Sequence, residues 1–306
     1  EDIQDQVELA LMRDEHHKVA RAYVLYREQR AASRYHTKKL KEQVGVKVSS
    51  MMVTKRDGTK EPVSLDKITN RVSVLSTGLS IDPIVVAQKA IPGLYNEITS
   101  TEIDNYLAET AAALTVEHPD YSNLAARIKS NALHKETPGF IIATQNLFND
   151  GLLQEKYYKK VIENSDAIES ILDYDRDYSF DYFALTTLIR AYLLKFQNQT
   201  IERPQDLWMR VALTVSCDEF DINKLKKTYD NLSNGLYTHA TPTLFNSGLK
   251  MQQLSSCFLI GMEDDSIEGI FNTIKDCALI SKTAGGIGLH AHNIRGSGSR
   301  IKSTNG

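Results

Sequence analysis

Met52-Val53-Thr54-Lys55-Arg56-Asp57-Gly58-Thr59-Lys60-Glu61-Pro62-Val63 is the stretch on which the reading of the fold turns. Residues 52–55 have strand character, and Asp57-Gly58 is a dipeptide that tolerates the positive φ of a tight hairpin. Residues 61–63 then form the return strand. Beyond the hairpin, four segments carry helical patterning: 66–77, 83–95, 101–114 and 121–134. Pro83 suits a first helical turn, and Ser100-Thr101-Glu102 is a helix-start signal. Hairpin and helices make one module, residues 48–137. Read alone, Lys55-Arg56-Asp57-Gly58 is a solvated hairpin tip. Lys67 on the next helix, Ser100-Thr101 opening another and Lys135 at the end of the last change that reading. Cations beside a hydroxyl-rich helix N-terminus suit a polyphosphate, because free N–H groups and the helix dipole favour anions.

Upstream, residues 1–34 read as helix: Val7, Leu9, Leu11, Val19, Ala22, Tyr23, Tyr26 and Arg30 fall near a 3.6-residue repeat that breaks around 14–16. A Lys-rich connector follows at 34–43, then a short turn of period at 46–48. Val19-Ala20-Arg21-Ala22-Tyr23 with Tyr26-Arg27 echoes Leu124-Ala125-Ala126-Arg127-Ile128 with His134-Lys135. Residues 1–45 therefore read as the tail of a preceding, partial copy of the module plus a linker. That partial copy lacks the Lys-Arg-Asp-Gly hairpin and has Gln29 where the complete one has Lys135. With no initiator Met and a loop-like end at Thr304-Asn305-Gly306, both termini read as cuts in a longer polypeptide.

Downstream, residues 138–232 are mostly helical, with Trp208, Val211, Ala212 and Val215 on one apolar stripe. From 233 the texture changes. Residues 238–242 and 255–260 look like short strands, and 265–283 like an amphipathic helix with Ile267, Ile270, Phe271, Ile274 and Ala278 on one face. Asp265-x-x-Glu268 has capping-box spacing. A strand, helix, glycine-loop order marks an α/β domain beginning at 233–306.

Composition bounds the function classes. The 306 residues are 42% hydrophobic and 25% charged, an ordinary globular make-up. A net charge of −3 gives no support to a nucleic-acid partner. No apolar run approaches the roughly 20 residues that span a bilayer, and the N-terminus has no signal-peptide pattern. Cys217, Cys257 and Cys277 form neither CxxC nor a zinc spacing, so no metal site is expected; a sparse, odd count suits a reducing compartment, the cytoplasm. Asp173-x-Asp175-x-Asp177 fails as an EF-hand, because Tyr178 and Ala184 stand where Gly and Glu are needed; it reads as a solvated turn with Asp partly pairing Arg176. Gly286-x-Gly288-x-x-Ala291 fails as a dinucleotide fingerprint, since a helix precedes it; its glycines let backbone approach a ligand or a packed strand. By base rate, Cys257 is a buried apolar cysteine, as are Cys217 and Cys277.

The run Val53-Thr54-Lys55-Arg56-Asp57-Gly58 … Leu65-Asp66-Lys67-Ile68, with Ala125-Ala126-Arg127 … Leu133-His134-Lys135, resembles an ATP-cone. His239-Ala240-Thr241-Pro242-Thr243-Leu244-Phe245-Asn246-Ser247-Gly248, Leu254-Ser255-Ser256-Cys257-Phe258-Leu259, Asp264-Asp265-Ser266-Ile267-Glu268-Gly269-Ile270 and Ser281-Lys282-Thr283-Ala284-Gly285-Gly286-Ile287-Gly288 resemble class I ribonucleotide reductase large subunits of the eukaryote-like type. The likeness is collinear over nearly the whole chain. It implies an α/β fold overall: a helical cone with a small β-hairpin, a helical region, and the start of a ten-stranded α/β barrel. It further implies that Lys55, Arg56, Glu61, Lys67, Thr101, Asp104 and Lys135 bind ATP or dATP, with Mg2+, and set overall activity. Asp265, Ser266, Ile267, Lys282 and Arg295 form a specificity site for nucleoside triphosphates at a dimer interface to which the 265–283 helix contributes. Thr241, Ser256 and Gly285 hold the substrate ribonucleotide, and Cys257 is one of a redox pair reducing C2′. The partner cysteine and the thiyl-radical cysteine lie beyond Gly306, so this stretch alone is expected not to turn over. A separate small subunit carries the radical cofactor, and thioredoxin or glutaredoxin restores the thiols. Two other readings stand beside this one: a regulator built on a cone, for which the paired CxxC of a zinc ribbon is missing, and a cobalamin-dependent or glycyl-radical reductase, which shares the barrel.

Overall fold

A computed structural model of the chain describes residues 2–13, 19–21, 23–24, 51–216 and 219–301. The readings at 14–16, 34–43 and 46–48, and those for Gln29 and Cys217, lie outside the described residues. The chain divides into two compact units, residues 1–132 with 178–185, and residues 133–177 with 186–306.

The first unit opens on helix α1 (Asp2–Arg13), with further helical residues at 19–21 and 23–24. Strands β1 (Met52–Thr54) and β2 (Lys60–Pro62) pair antiparallel, Val53 opposite Glu61. The turn between them is the expected one: Gly58 has φ +81°, which a side chain would resist, and Asp57 accepts from the Thr59 amide and hydroxyl at 2.9 and 2.6 Å. Helix α2 (Leu65–Leu75) starts on Ser64, whose hydroxyl accepts from the Lys67 amide. Helix α3 (Pro83–Ala90) is capped by Asp82 and carries proline in its first turn. It stops short of the expected residue 95. Pro92 has no N–H to continue the ladder, and Ile91–Gly93 closes as a single tight turn.

Strand β3 (Ile98–Thr99) adds to β1 in parallel, giving a sheet ordered β2-β1-β3. Two residues are too few to show alternation, so no pattern in the sequence announces it. Helix α4 (Ser100–Ala113) begins with a capping box between Thr99 and Glu102, and α5 (Asp120–Glu136) completes the set. Val53, Ile68, Val72, Val86, Ile98, Leu107, Leu124 and Ile128 meet in one core, where the hairpin and the four helices seal each other. Arg127 donates to the carbonyls of Leu75 and Thr77, satisfying the exposed end of α2.

In the second unit come α6 (Phe140–Asn149), α7 (Glu155–Glu163) and α8 (Ser165–Glu169); α9 (Tyr182–Thr187) begins in the stretch 178–185 that belongs to the first unit. A small hairpin of β4 (Lys195–Phe196) and β5 (Gln199–Thr200) turns through Gln197 and Asn198, both at positive φ. Helix α10 (Pro204–Val215) buries Trp208, Val211 and Ala212 as the stripe predicts, while Val215 is exposed. Helix α11 (Ile222–Ser233) packs on it.

Asp177 departs from the solvated-turn reading. It is fully buried, with His134 at 2.7 Å and the Gln205 amide donating at 3.0 Å; burial, only partly offset by these bonds, raises its pKa. Asp173 does pair with Arg176, at 3.0 Å.

Residues 238–242 are not a strand. Helix α12 (Thr241–Asn246) starts there, because Pro242 fixes the φ of a first turn and its missing N–H costs nothing at that position. Strand β6 (Cys257–Gly261), helix α13 (Ile267–Ser281) and strand β7 (Gly286–His290) follow as a parallel β-α-β unit, with Cys257 opposite Gly286 and Gly261 opposite His290. This matches the expected start of an α/β domain; among the described residues the two strands close no barrel. The cap of α13 is Ser266, whose hydroxyl accepts from the Gly269 amide at 3.0 Å, and not Asp265. Asp265 is engaged elsewhere.

Candidate functional site

The hairpin tip and two helices bring charged side chains together in the first unit. Glu61, on β2, receives Lys55 at 2.7 Å and Lys67 at 3.0 Å. These contacts raise the Lys55 pKa and lower that of Glu61, each chiefly through their shared hydrogen bond. Beside them Asp104, on α4, has a fully buried side chain held by two guanidinium groups. Arg56 donates at 2.9 Å to one carboxylate oxygen and Arg71 to the other. Arg71 also donates to the Asn131 side chain at 2.9 Å. Burial, with the nearby Arg56 charge, lowers the Arg71 pKa to about 10, so it stays cationic at neutral pH.

Among the described residues, Lys55, Arg56, Lys67 and Arg71 thus gather about Glu61 and Asp104, and a cluster of cations of this kind suits an oligophosphate. Thr101 sits in the first turn of α4, whose first amides have no helical carbonyl of their own; Glu102 already takes the Thr99 cap. Lys135 lies in the last turn of α5, in the part of that helix that belongs to the second unit. The residue that sequence reasoning missed is Arg71. Its signal was present, since Lys67 and Arg71 stand four apart on α2 and so share a face.

In the second unit Cys257 begins β6. It is exposed, against the buried expectation, as is Leu259 two residues along the same strand; its partner across the ladder is Gly286. The Ser256 hydroxyl donates to the Cys257 sulfur at 3.6 Å, and the Ser256 carbonyl accepts from the Gly286 amide at 2.7 Å. The glycines bring backbone to a packed strand, as expected. A Cβ at Gly285 would lie 2.6 Å from Ile280 and 2.9 Å from Phe258, and one at Gly288 3.0 Å from Leu259. Gly285→Ala is therefore expected to destabilise the β-α-β unit by about 1–3 kcal/mol, read as a lower urea midpoint at unchanged slope. The Gly285 amide already donates to the Ile280 carbonyl, so its service to a ligand would be space, not a hydrogen bond.

Thr241 lies in the first turn of α12, its hydroxyl 3.2 Å from that of Tyr192. The α12 segment is tied to the region around Cys257 by the Asn246 side chain, which donates to the carbonyls of Gln253 and Thr283.

Asp265 and Arg295 form a third arrangement: the Arg295 side chain meets the Asp265 carboxylate at 2.6 Å and its carbonyl at 2.9 Å. Ser266 and Ile267 adjoin them, Ile267 being 79% exposed. Lys282 caps the far end of α13, and fifteen helical residues place it about 20 Å from Asp265. One copy of the chain therefore brings Asp265, Ser266, Ile267 and Arg295 together but not Lys282. The apolar face of α13 is open: Phe271 is 65% and Ile274 52% exposed.

Comparison with known proteins follows the same order along the chain. The ATP cone domain profile matches residues 1–32 and 51–136, the ribonucleotide reductase all-alpha domain profile 178–252, and the ribonucleotide reductase barrel domain profile 255–306. Over 84% of its length the chain is 48% identical to the ribonucleoside-diphosphate reductase large chain 2 of Saccharomyces cerevisiae, covering 31% of that protein. It is likewise 48% identical to the large subunits of Arabidopsis thaliana and Vaccinia virus, covering 33% and 35% of them. The chain belongs to the ribonucleotide reductase large-subunit family, eukaryote-like type, and spans about a third of the length of these relatives. Among the described residues, no helix is long and apolar enough to cross a membrane.

Proposed function

We propose that this chain is the nucleotide-sensing and thiol-bearing part of a ribonucleoside-diphosphate reductase large subunit, reducing ribonucleoside diphosphates to deoxyribonucleotides. Residues 48–137 form the ATP-cone, 138–232 the helical domain and 233–306 the first part of the barrel; residues 1–45 are the tail of a further cone and a linker. The observation that carries the reading is the exposed Cys257 thiol at the start of a parallel strand, opposite a glycine and beside Ser256. A cone-bearing regulator has no use for that thiol.

In the proposed reaction, Cys257 and a second thiol supply two electrons and two protons. The 2′-hydroxyl leaves as water, C2′ gains hydrogen, and the two sulfurs end as a disulfide. A disulfide so formed can be reduced again by thiol exchange, the task of thioredoxin or glutaredoxin. A radical cofactor on a separate small subunit would supply the one-electron oxidation that starts substrate activation. Thr241, Ser256 and the space at Gly285 would hold the ribonucleotide. The location is the cytoplasm.

Control would come from two nucleotide sites. Lys55, Arg56, Glu61, Lys67, Thr101, Asp104 and Lys135 would hold ATP or dATP with Mg2+ in the cone. Asp265, Ser266, Ile267, Lys282 and Arg295 would hold a nucleoside triphosphate effector at a homodimer interface. The length of α13 supports that last point, since a second copy packed antiparallel on its open apolar face can bring Lys282 to the other chain's Asp265. Higher assemblies then follow effector binding.

The cone is tested by calorimetric titration of the chain with Mg2+-dATP. Lys55→Ala removes one of the two cations on Glu61 and is expected to weaken binding about tenfold. Equal affinity for the two proteins would sink the assignment.

A further inference from the structure

The backbone of α12 is fixed, and what stays free to turn at its start is the Thr241 side chain. Arg210 donates to the carbonyls of Leu244 and Ser247, and Asn246 donates to those of Gln253 and Thr283. Thr241 stands in the first turn, with no helical carbonyl four residues before it, and a threonine in a helix has two χ1 wells open to it. The Tyr192 hydroxyl, 3.2 Å from Thr241 Oγ1, selects between them. Tyr192 closes a wide helical turn, Leu188–Tyr192, in which the Leu193 amide donates five residues back to the Leu188 carbonyl. Turns of this π type recur at functional sites. The Tyr192 ring also lies against that of Phe245, on α12 itself, with centroids 4.9 Å apart, so phenol and threonine keep a fixed relation to one helix. The proton count then gives a direction. Phosphate oxygens are acceptors, so a hydroxyl that binds them gives its single proton to the ligand. Its own oxygen is left to accept, and the Tyr192 O–H is placed to donate to it.

We propose that Tyr192 is a positioning residue of the ribonucleotide site: its hydroxyl donates to Thr241 Oγ1 and so turns the threonine proton toward a phosphate oxygen of the substrate. This rests on the reading of Thr241 as a residue that holds the ribonucleotide. Tyr192 acts through Thr241 and touches no reacting atom.

The test is steady-state reduction of CDP by a large subunit carrying this sequence, with the small subunit that the proposed function requires. Tyr192→Phe keeps the ring and its contact with Phe245 and removes only the hydroxyl. It is expected to raise the KM for CDP about fivefold, the size of one hydrogen bond, while kcat stays within about twofold. Thr241→Val, which removes the hydroxyl that meets the substrate, is expected to raise KM about tenfold. In that background, adding Tyr192→Phe is expected to change KM by less than about twofold, because the oxygen it served is gone. An equal rise in both backgrounds would mean that Tyr192 meets the substrate directly, and overturns the proposal. So would a native KM for Tyr192→Phe beside a raised one for Thr241→Val, or a loss carried by kcat instead of KM. A native KM for Thr241→Val would overturn the substrate reading of Thr241 itself and the proposal with it, so the two failures are separate.

Discussion

On the proposed reductase function, Cys257→Ser is expected to bring ribonucleotide reduction to background while nucleotide binding at residues 48–137 stays as before. The two halves of that outcome come from different chemistry. Reduction needs a sulfur that can give up its hydrogen and then bond to a second sulfur; a serine oxygen can do neither under mild conditions. The loss is therefore of a whole step, at least about a thousandfold in kcat, or about 4 kcal/mol of transition-state stabilisation. The fold has little reason to notice the change. Cys257 is exposed, its ladder partner is a glycine, and serine keeps nearly the same size and the same strand geometry. Cys277, half-buried on α13, supplies the control: Cys277→Ser is expected to keep substantial activity. The measurement is a reductase assay on a large subunit carrying this sequence, with the small subunit that the proposed function requires, beside dATP titration of both variants. Turnover by Cys257→Ser above a few percent would remove Cys257 from the redox pair.

How much of this could be read in the sequence depends on whether a feature is local. The hairpin was legible because Asp57-Gly58 carries its own conformational preference, and the helices of the first unit because their apolar spacing repeats over several turns. Strand β3 was not, since its two residues are defined only by the parallel partner that β1 provides. The start of α12 was misread as strand: Thr238, Thr241 and Thr243 have β propensity, and only Pro242 in a first turn shows otherwise. The cap of α13 was assigned to Asp265 by spacing, yet the structure gives it to Ser266 because Arg295, thirty residues away, engages Asp265. The candidate sites follow the same rule. Lys55, Arg56 and Lys67 stood close enough in sequence to suggest a cluster. The bond from Arg56 to Asp104, and the place of Arg71 beside it, depend on tertiary packing that brings α2 and α4 together. The exposure of Cys257 was invisible to base rates, which describe the residue type and not the open face of β6 on which it stands.

Arg210→Met is expected to cost the second unit about 3–5 kcal/mol. Arg210 is 1% exposed and lies against Glu202, 2% exposed, with contacts at 2.5 and 3.1 Å. Its remaining terminal nitrogen donates to the carbonyls of Leu244 at 3.2 Å and Ser247 at 2.9 Å, at the end of α12. Methionine fills much the same volume, so the loss does not come from a cavity. It comes from a carboxylate left in the interior with, among the described residues, the Leu194 amide at 2.8 Å as its remaining partner, and from two carbonyls left without their Arg210 donor. If the unpaired charge is the main term, removing it should restore stability. Arg210→Met/Glu202→Leu is expected to recover more than half of the loss, since a buried ion pair replaced by apolar groups is often near neutral. Urea unfolding at constant slope reads both variants. A loss below about 1 kcal/mol for Arg210→Met would mean that water reaches Glu202. A double variant no better than the single would place the stabilisation in the bonds to Leu244 and Ser247. If Thr241 holds the ribonucleotide, as proposed, those bonds bear on function too, because they fix α12, the helix that carries it. A milder variant that spares the fold, Arg210→Lys, is therefore expected to raise the KM for the ribonucleotide more than it lowers kcat.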